Sequence, residues 1–172
     1  MMGPSDLVSE LVQLAESACR GANDVLSQRF GASTIVGRKG DLINVVTDAD
    51  LESELSIVEL IRQSRPDDGF MAEESEEVSG SSGITWVIDP LDSTANFARG
   101  IPIFSVSIAA CDEAGPMAAA VGHPREGIVY SSGRGTGGVR VYGGAGSFAP
   151  AAIKPLAPRN AMALFGLGPR ET

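Results

Sequence analysis

Two aspartates separated by two residues follow a short apolar run in the segment 86–97, WVIDPLDSTANF. Asp89 closes the run, and Pro90 favours a sharp exit from a strand because its ring fixes φ and removes a hydrogen-bond donor. The turn is expected to bring Asp92 toward Asp89, with the carbonyl oxygen of Leu91 between them. Like charges this close are unfavourable unless a cation lies between them. The pair is either a metal site or an ordinary Asp-Pro turn, and the pattern alone favours the turn.

Two hydroxyl residues come directly after this pair. Ser93 and Thr94 are residue types that favour a helix start, and the run 93–100, STANFARG, is long enough for a short helical turn. Backbone N–H groups at the start of a helix point toward an anion. A metal ion and a phosphate group could therefore bind at one locus.

A second acidic cluster strengthens the metal interpretation. Glu73 and Glu74 follow another short apolar run, upstream of Asp89. Two neighbouring strands that end in carboxylates at one edge of a sheet would supply several oxygen ligands. No histidine or cysteine accompanies them, so the pattern favours Mg²⁺, Mn²⁺ or Ca²⁺ over Zn²⁺. A solvated acidic loop is the alternative for this pair, and it is the interpretation we prefer for Glu76 and Glu77.

A third acidic element opens the segment VTDADLESE. Asp48 caps the second predicted helix or lies just before it, and Asp50 falls in the first turn. Carboxylates are stabilised at this end of a helix by its dipole, so a purely structural role accounts for both residues.

The elements that must position these acids follow from the spacing of apolar residues. Helical spacing predicts one helix over 5–30 and another over 48–66, and one face of the second is expected to carry Leu51, Leu55, Val58 and Ile61 or Arg62. The predicted strands lie within GRKGDLINVVT, GFMAEES, GITWVID, FSVSIAACD, PMAAAVGHP, EGIVYSS and VRVY. This order predicts an α+β fold in which helices pack on a largely antiparallel sheet.

Composition changes along the chain and limits the classes of partner that the chain is expected to bind. We expect a metal- and phosphate-binding α+β domain over 1–146, and over 147–172 a tail rich in Gly, Pro and Ala that begins an incomplete second domain. The net charge of −9 argues against nucleic acid or an anionic membrane as a partner.

No secretory signal pattern and no apolar run of about 20 residues is seen, so a cytoplasmic protein is expected. Cys19 and Cys111 match no metal or redox spacing and are interpreted as buried thiols.

Taken together, the segments VTDAD with Glu54, AEES, WVIDPLDSTANF, GIPIFSVSIA and GIVY occur in the order seen in the inositol monophosphatase family. The chain resembles this family of Mg²⁺-dependent, Li⁺-sensitive phosphatases over about residues 5–145. The resemblance implies the N-terminal half of the inositol monophosphatase fold. It also implies hydrolysis of inositol monophosphate or a related small phosphate monoester by a metal-activated water, with Mg²⁺ as cofactor and Mn²⁺ as a possible substitute.

The resemblance also implies a role for individual residues. The metal ligands would be Glu73, Asp89, Asp92 and the carbonyl oxygen of Leu91. The residues that orient and deprotonate the attacking water would be Asp50 and Thr94, with Glu74 in support. The phosphate-binding groups would be the backbone N–H groups of Ser93 and Thr94 and the side chain of Lys39.

The chain departs from the family pattern in three respects. The family usually has Gly at the position of Ser93 and commonly Thr at the position of Ala95. A Cβ atom at position 93 is expected to crowd the phosphate or to conflict with a conformation that favours glycine. The chain is also much shorter than family members, and it lacks their WDxAAG-type motif, whose aspartate completes a metal site.

Other functions therefore stay open beside the monoesterase. One is a catalytically impaired module that binds a divalent metal or oligomerises. Another is a relative that acts on 3′-phosphoadenosine 5′-phosphate or fructose 1,6-bisphosphate. The expected partners are a small phosphorylated metabolite and further copies of the chain, because an unpaired sheet edge or an exposed apolar face favours self-association.

Overall fold

The computed structural model describes residues 4–38, 45–136 and 138–143. Lys39 and the predicted tail 147–172 therefore lie outside the described residues. The helices are α1 (Pro4–Arg29), α2 (Asp48–Ser64) and α3 (Thr94–Ala98). The strands are β1 (Ile35–Arg38), β2 (Val45–Thr47), β3 (Gly69–Ala72), β4 (Thr85–Asp92), β5 (Ser105–Asp112), β6 (Gly115–His123), β7 (Ile128–Gly133) and β8 (Arg140–Tyr142).

A six-stranded sheet forms the centre of the fold, with strands in the order β3-β4-β5-β6-β7-β8. All neighbouring strands are antiparallel except β3 and β4, which are parallel. The helices α1 and α2 contact the sheet, and β1 and β2 form a separate antiparallel pair. The expected α+β class with a largely antiparallel sheet is confirmed. No helix in the described part of the chain is long and apolar enough to cross a membrane.

Small residues allow α1 to lie close to the sheet. Ala15, Ala18 and Ala22 are buried on the helix face that packs there. A Cβ atom added to Gly122 of β6 would collide with Asn23 and with the thiol of Cys19. Burial of that thiol raises its pKa to about 12. Both cysteines are free, but only Cys19 is buried, so the expectation of a buried thiol was wrong for the partly exposed Cys111.

The buried face of α2 differs from the one that the apolar spacing predicts. Leu51 and Leu55 are 47% and 58% exposed. The buried residues of the helix are Ala49, Asp50, Ser53, Glu54, Ile57 and Ile61. The prediction assumed that the most apolar stripe faces the core, whereas this helix buries three polar side chains that bond to other segments.

The strand β4 also continues further than predicted. It runs through Pro90 to Asp92, with an irregularity in its pairing with β5 between Asp89 and Asp92. Proline cannot donate to a ladder, so it is tolerated inside a sheet mainly at such bulges. The two aspartates therefore lie on either side of a bulge within one strand, instead of around a turn after it. The strand β1 was not predicted at all.

A buried ionic cluster joins the ends of both long helices to the sheet. Asp68 is only 3% exposed. It accepts hydrogen bonds from Trp86 Nε1 at 2.8 Å and from Arg65 Nε and Nη2 at 3.0 Å each. Arg65 also reaches Glu10 of α1 at 3.4 Å. Removing the carboxylate would leave the buried Trp86 N–H without its acceptor and the partly buried Arg65 with Glu10 alone.

Asp68→Ala is expected to lower the free energy of unfolding by about 2 kcal/mol, because it leaves the buried Trp86 N–H without an acceptor and removes the main partner of Arg65. Chemical denaturation measures the change. Asp67→Ala is the matched control, since this neighbour is exposed. A loss below about 1 kcal/mol, the range of surface pairs, would show that the cluster is not a major source of stability.

Candidate metal and phosphate site

Three segments of the chain meet beside the end of β4: the first turns of α2, the residues after β3, and the passage from β4 into α3. Thr94 of α3 hydrogen-bonds Asp50 of α2. Glu73, directly after β3, hydrogen-bonds Asp89 of β4. The sheet register explains the second contact, because β3 pairs in parallel with β4 up to Ala72 and its partner Ile88. The chain therefore places Glu73 and Asp89 one residue beyond a shared ladder.

Asp50 and Thr94 form an oriented hydroxyl–carboxylate pair. Asp50 is 1% exposed, and its Oδ2 accepts the N–H of Thr47 at 2.9 Å and the Thr47 hydroxyl at 2.5 Å. Its Oδ1 lies 2.8 Å from Thr94 Oγ1, which is also 2.9 Å from the carbonyl oxygen of Leu91. The Thr94 hydroxyl has one proton and can donate it to only one of these two oxygen atoms at a time. Its own oxygen can accept a proton from a third group, so Thr94 and Asp50 can together take up a proton.

The contact between Glu73 and Asp89 joins two groups of like charge. The pKa of Asp89 is raised to about 7, mainly by burial and also by the charges of Glu73 and Asp92 and a hydrogen bond with Glu73. The Leu91 N–H, 3.2 Å from Asp89 Oδ1, acts in the opposite direction. Two carboxyl groups in a hydrogen bond need one proton between them. A cation that replaces this proton would relieve the same repulsion.

The third carboxylate among the predicted metal ligands, that of Asp92, hydrogen-bonds a serine. Asp92 is exposed, and its Oδ2 accepts a hydrogen bond from Ser105 Oγ at 3.2 Å. Over residues 4–38, 45–136 and 138–143, no three acidic, histidine or cysteine side chains converge as a closed metal site. The donor set nevertheless fits a hard divalent cation in its chemistry. It consists of oxygen atoms of Glu73, Asp89, Asp92 and Leu91, and a bound cation would offset the like charges of Glu73 and Asp89.

Ser93 adopts a backbone conformation that favours glycine. Its φ of 71° and ψ of 45° lie in the left-handed region, and it is the only non-glycine residue with positive φ in the described part of the chain. The chain needs this conformation to turn from β4 into α3. The side chain is exposed, with Ser93 Oγ 3.5 Å from Asp92 Oδ1. The expected conflict between a Cβ atom and the local backbone is therefore present as strain.

The loop after β3 holds the other predicted acids. Glu74 is half-buried, and its N–H donates to Glu54 Oε2 at 2.8 Å. Glu76 and Glu77 are exposed, as the solvated-loop interpretation predicts. The loop returns along β3 through an isolated bridge between Phe70 and Val78.

Three residues support the site without belonging to the predicted ligands or the predicted proton relay. Thr47 fixes one oxygen of Asp50, Ser53 Oγ donates to the carbonyl oxygen of Pro90 at 2.8 Å, and Glu54 holds the backbone at Glu74. From the sequence, Glu54 is named only as part of the family resemblance, and Thr47 and Ser53 are not singled out. A signal for Ser53 was present, because Asp50, Ser53 and Glu54 share the spacing of one helix face.

Comparison with known proteins shows what the chain as a whole is similar to. The model of the inositol monophosphatase family matches residues 7–156. Nus factor SuhB of Haemophilus influenzae is 38% identical over 104 residues, which cover 59% of this chain and 39% of that protein. Inositol-1-monophosphatase of Rhizobium meliloti is 36% identical over 132 residues, which cover 75% of this chain and 49% of that protein. The chain therefore spans about half the length of the curated relatives it matches.

Solved structures with a similar fold also match about three quarters of this chain. Extragenic suppressor protein suhB from Bartonella henselae superposes with a TM-score of 0.70 and 32% identity, over 75% of this chain and 50% of that one. Thermotoga maritima IMPase gives a TM-score of 0.67 and 29% identity over the same shares of the two chains. An IMPase/NADP phosphatase complexed with Mg²⁺ and phosphate shares the fold, with a TM-score of 0.66 and 21% identity over 78% of this chain and 51% of that one.

Replacing Ser93 by glycine is expected to raise the free energy of unfolding by about 1 kcal/mol, because a left-handed conformation costs about this much for a residue with a Cβ atom. Thermal unfolding in the absence of metal measures the change. Ser81→Gly is the control, since Ser81 is exposed in a loop and has no positive φ. Equal effects of the two substitutions, or a loss of stability in Ser93→Gly, would contradict the strain.

The raised pKa of Asp89 predicts a pH dependence of metal-free stability. A carboxyl whose folded pKa of about 7 exceeds its unfolded value of about 3.9 contributes stability at low pH, and this contribution disappears as the pH rises through 7. Thermal unfolding is measured in the presence of a chelator from pH 4 to 8. The Tm of Asp89→Asn should rise relative to the Tm of the wild type as the pH increases.

Asp112 supplies a control for this experiment. Hydrogen bonds from Arg134 lower the pKa of Asp112, so its contribution to stability is already complete above the unfolded pKa of about 3.9, and the difference between wild type and Asp112→Asn should stay constant from about pH 5 to 8. A difference between wild type and Asp89→Asn that stays constant from pH 4 to 8 would contradict the raised pKa.

Proposed function

The chain belongs to the inositol monophosphatase family, and we propose that it hydrolyses a small phosphate monoester, such as inositol monophosphate, by attack of water in the presence of Mg²⁺. The 2.8 Å contact between Thr94 Oγ1 and Asp50 Oδ1 carries this proposal, since Thr94 Oγ1 also lies 2.9 Å from the carbonyl oxygen of Leu91, one of the proposed metal ligands. Relatives named inositol-1-monophosphatase and histidinol-phosphatase support a phosphate monoester of a small alcohol as the substrate class.

The proposed step uses Thr94 and Asp50 as a proton relay. The Thr94 hydroxyl accepts a proton from the attacking water while its own proton moves to Asp50 Oδ1. The water oxygen forms a bond to phosphorus as the ester P–O bond breaks, and the departing alcohol oxygen takes a proton from solvent. The two bonds from Thr47 hold Asp50 Oδ2, so Oδ1 stays directed at the hydroxyl.

The groups proposed to hold Mg²⁺ are the carboxylates of Glu73, Asp89 and Asp92 and the carbonyl oxygen of Leu91. When bound, the cation would lower the pKa of water and neutralise charge on the phosphate. It would also reverse the local field of a chain with net charge −9, which otherwise repels an anion. Glu74 is proposed to support the water, and Lys39 to add a positive charge nearby.

The phosphate is proposed to bind the backbone N–H groups of Ser93 and Thr94. The first N–H groups of a helix have no acceptor within the helix, so they are available to an anion. The left-handed backbone at Ser93 supports this proposal, because it turns the chain sharply before α3. The Cβ atom of Ser93 narrows the same space, which favours compact monoesters.

A second candidate is a metal-binding module without turnover. The hydrogen bond from Ser105 to Asp92 favours it, since the third carboxylate is engaged away from the other two. Self-association also stays a prediction. It is supported by exposed apolar side chains along one face of the sheet: Met71, Val87, Val121 and Tyr130.

The proposal is tested by phosphate release from inositol 1-phosphate with millimolar Mg²⁺, with and without Li⁺. Li⁺ should inhibit release by the wild type. Thr94→Ala should lower kcat by roughly 10²–10⁴-fold, the usual contribution of a group that moves a proton in the transition state, whereas Thr94→Ser should keep most of the rate. Thr136→Ala, in an exposed turn, is the control.

Two results would contradict the phosphatase proposal. One is the absence of hydrolysis of any small monoester by the wild type at millimolar Mg²⁺. The other is a Thr94→Ala variant as active as Thr136→Ala. Metal binding by calorimetry without turnover would favour the second candidate.

A further inference from the structure

We infer that Glu54 is a positioning residue for the metal site, because its carboxylate fixes the backbone that presents Glu73 to Asp89. Glu54 belongs to neither the predicted ligands nor the predicted proton relay. The inference deepens the proposed function and rests on its cation site.

Burial shows that the Glu54 carboxylate has a structural partner. Glu54 is only 6% exposed, although glutamate is rarely buried without one. Its Oε2 accepts the N–H of Glu74 at 2.8 Å. A hydrogen bond to an ionised acceptor is about twice as strong as one between neutral groups. The peptide bond held in this way is the one that joins Glu73 to Glu74.

The hydrogen bond between Glu54 and the Glu74 N–H matters for the metal site because of where it acts along the chain. The ladder between β3 and β4 ends at the pair Ala72 and Ile88, so Glu73 comes directly after the last paired residue of β3. Val78 pairs with Phe70, further back on β3. The bond from Glu54 acts one residue after Glu73 and ties this end of the strand to α2.

The helix α2 gives this bond a fixed reference. Asp50, Ser53 and Glu54 lie on one buried face and bond to Thr94, to the carbonyl oxygen of Pro90 and to the N–H of Glu74. A helix is rigid over one turn, so these bonds set the spacing between the proton relay, the bulge of β4 and the segment after β3. Loss of the Glu54 bond would remove the hydrogen bond that ties the segment after β3 to this helix face.

The test compares Glu54→Met with Glu54→Gln. Methionine has a similar shape but no acceptor for the Glu74 N–H, whereas glutamine keeps an acceptor oxygen. Mg²⁺ titration by calorimetry should give a Kd that is weakened about 10–100-fold in Glu54→Met, the usual effect of losing a group that orients a ligand. Glu54→Gln should remain close to wild type. Glu59→Met, at an exposed position of the same helix, is the control and should bind Mg²⁺ as the wild type does.

Metal-free thermal unfolding separates positioning from general stability. A purely structural role would lower the Tm of Glu54→Met and leave its Mg²⁺ Kd unchanged, and this result would overturn the inference. A wild-type chain that binds no Mg²⁺ would overturn it as well. A wild type that binds Mg²⁺ without hydrolysing phosphate, together with weak binding in Glu54→Met and recovery in Glu54→Gln, would reject the phosphatase proposal and uphold the role of Glu54.

Discussion

The repulsion between two neighbouring carboxylates, Glu73 and Asp89, is the constraint on which this structure depends. Glu73 is exposed and Asp89 is partly buried, and the burial of Asp89 together with the neighbouring charges of Glu73 and Asp92 accounts for the raised pKa of Asp89. The fold nevertheless holds them together. The strands β3 and β4 run parallel, and Glu73 and Asp89 each follow directly after the last pair of their ladder, Ala72 and Ile88. Such an arrangement is stable when a proton or a cation lies between the two groups.

The helix α2 is the element that maintains this arrangement. A surface helix usually buries an apolar stripe, but α2 buries Asp50, Ser53 and Glu54 and leaves Leu51 and Leu55 exposed. Each buried polar group has a partner on a different segment, so the cost of its desolvation is offset by a hydrogen bond. The helix thereby connects the hydroxyl of α3, the bulge of β4 and the segment after β3.

Much of this organisation could be predicted from the sequence, because it is local. The helices over 4–29 and 48–64, the later strands and the short helix after the aspartates all follow from spacing and residue type. The buried face of α2 could not be predicted in that way, since it depends on partners far along the chain. The same holds for β1, which needs β2 as its partner, and for the bulge between Asp89 and Asp92, which needs the register of β5.

The most direct test is calorimetric titration of Mg²⁺ into the wild type and into Asp89→Asn under identical conditions. A cation held between the carboxylates of Glu73 and Asp89 predicts measurable binding by the wild type and its loss in the variant, whose amide carries no charge. Equal affinity in the two proteins, or no binding in either, would contradict the account.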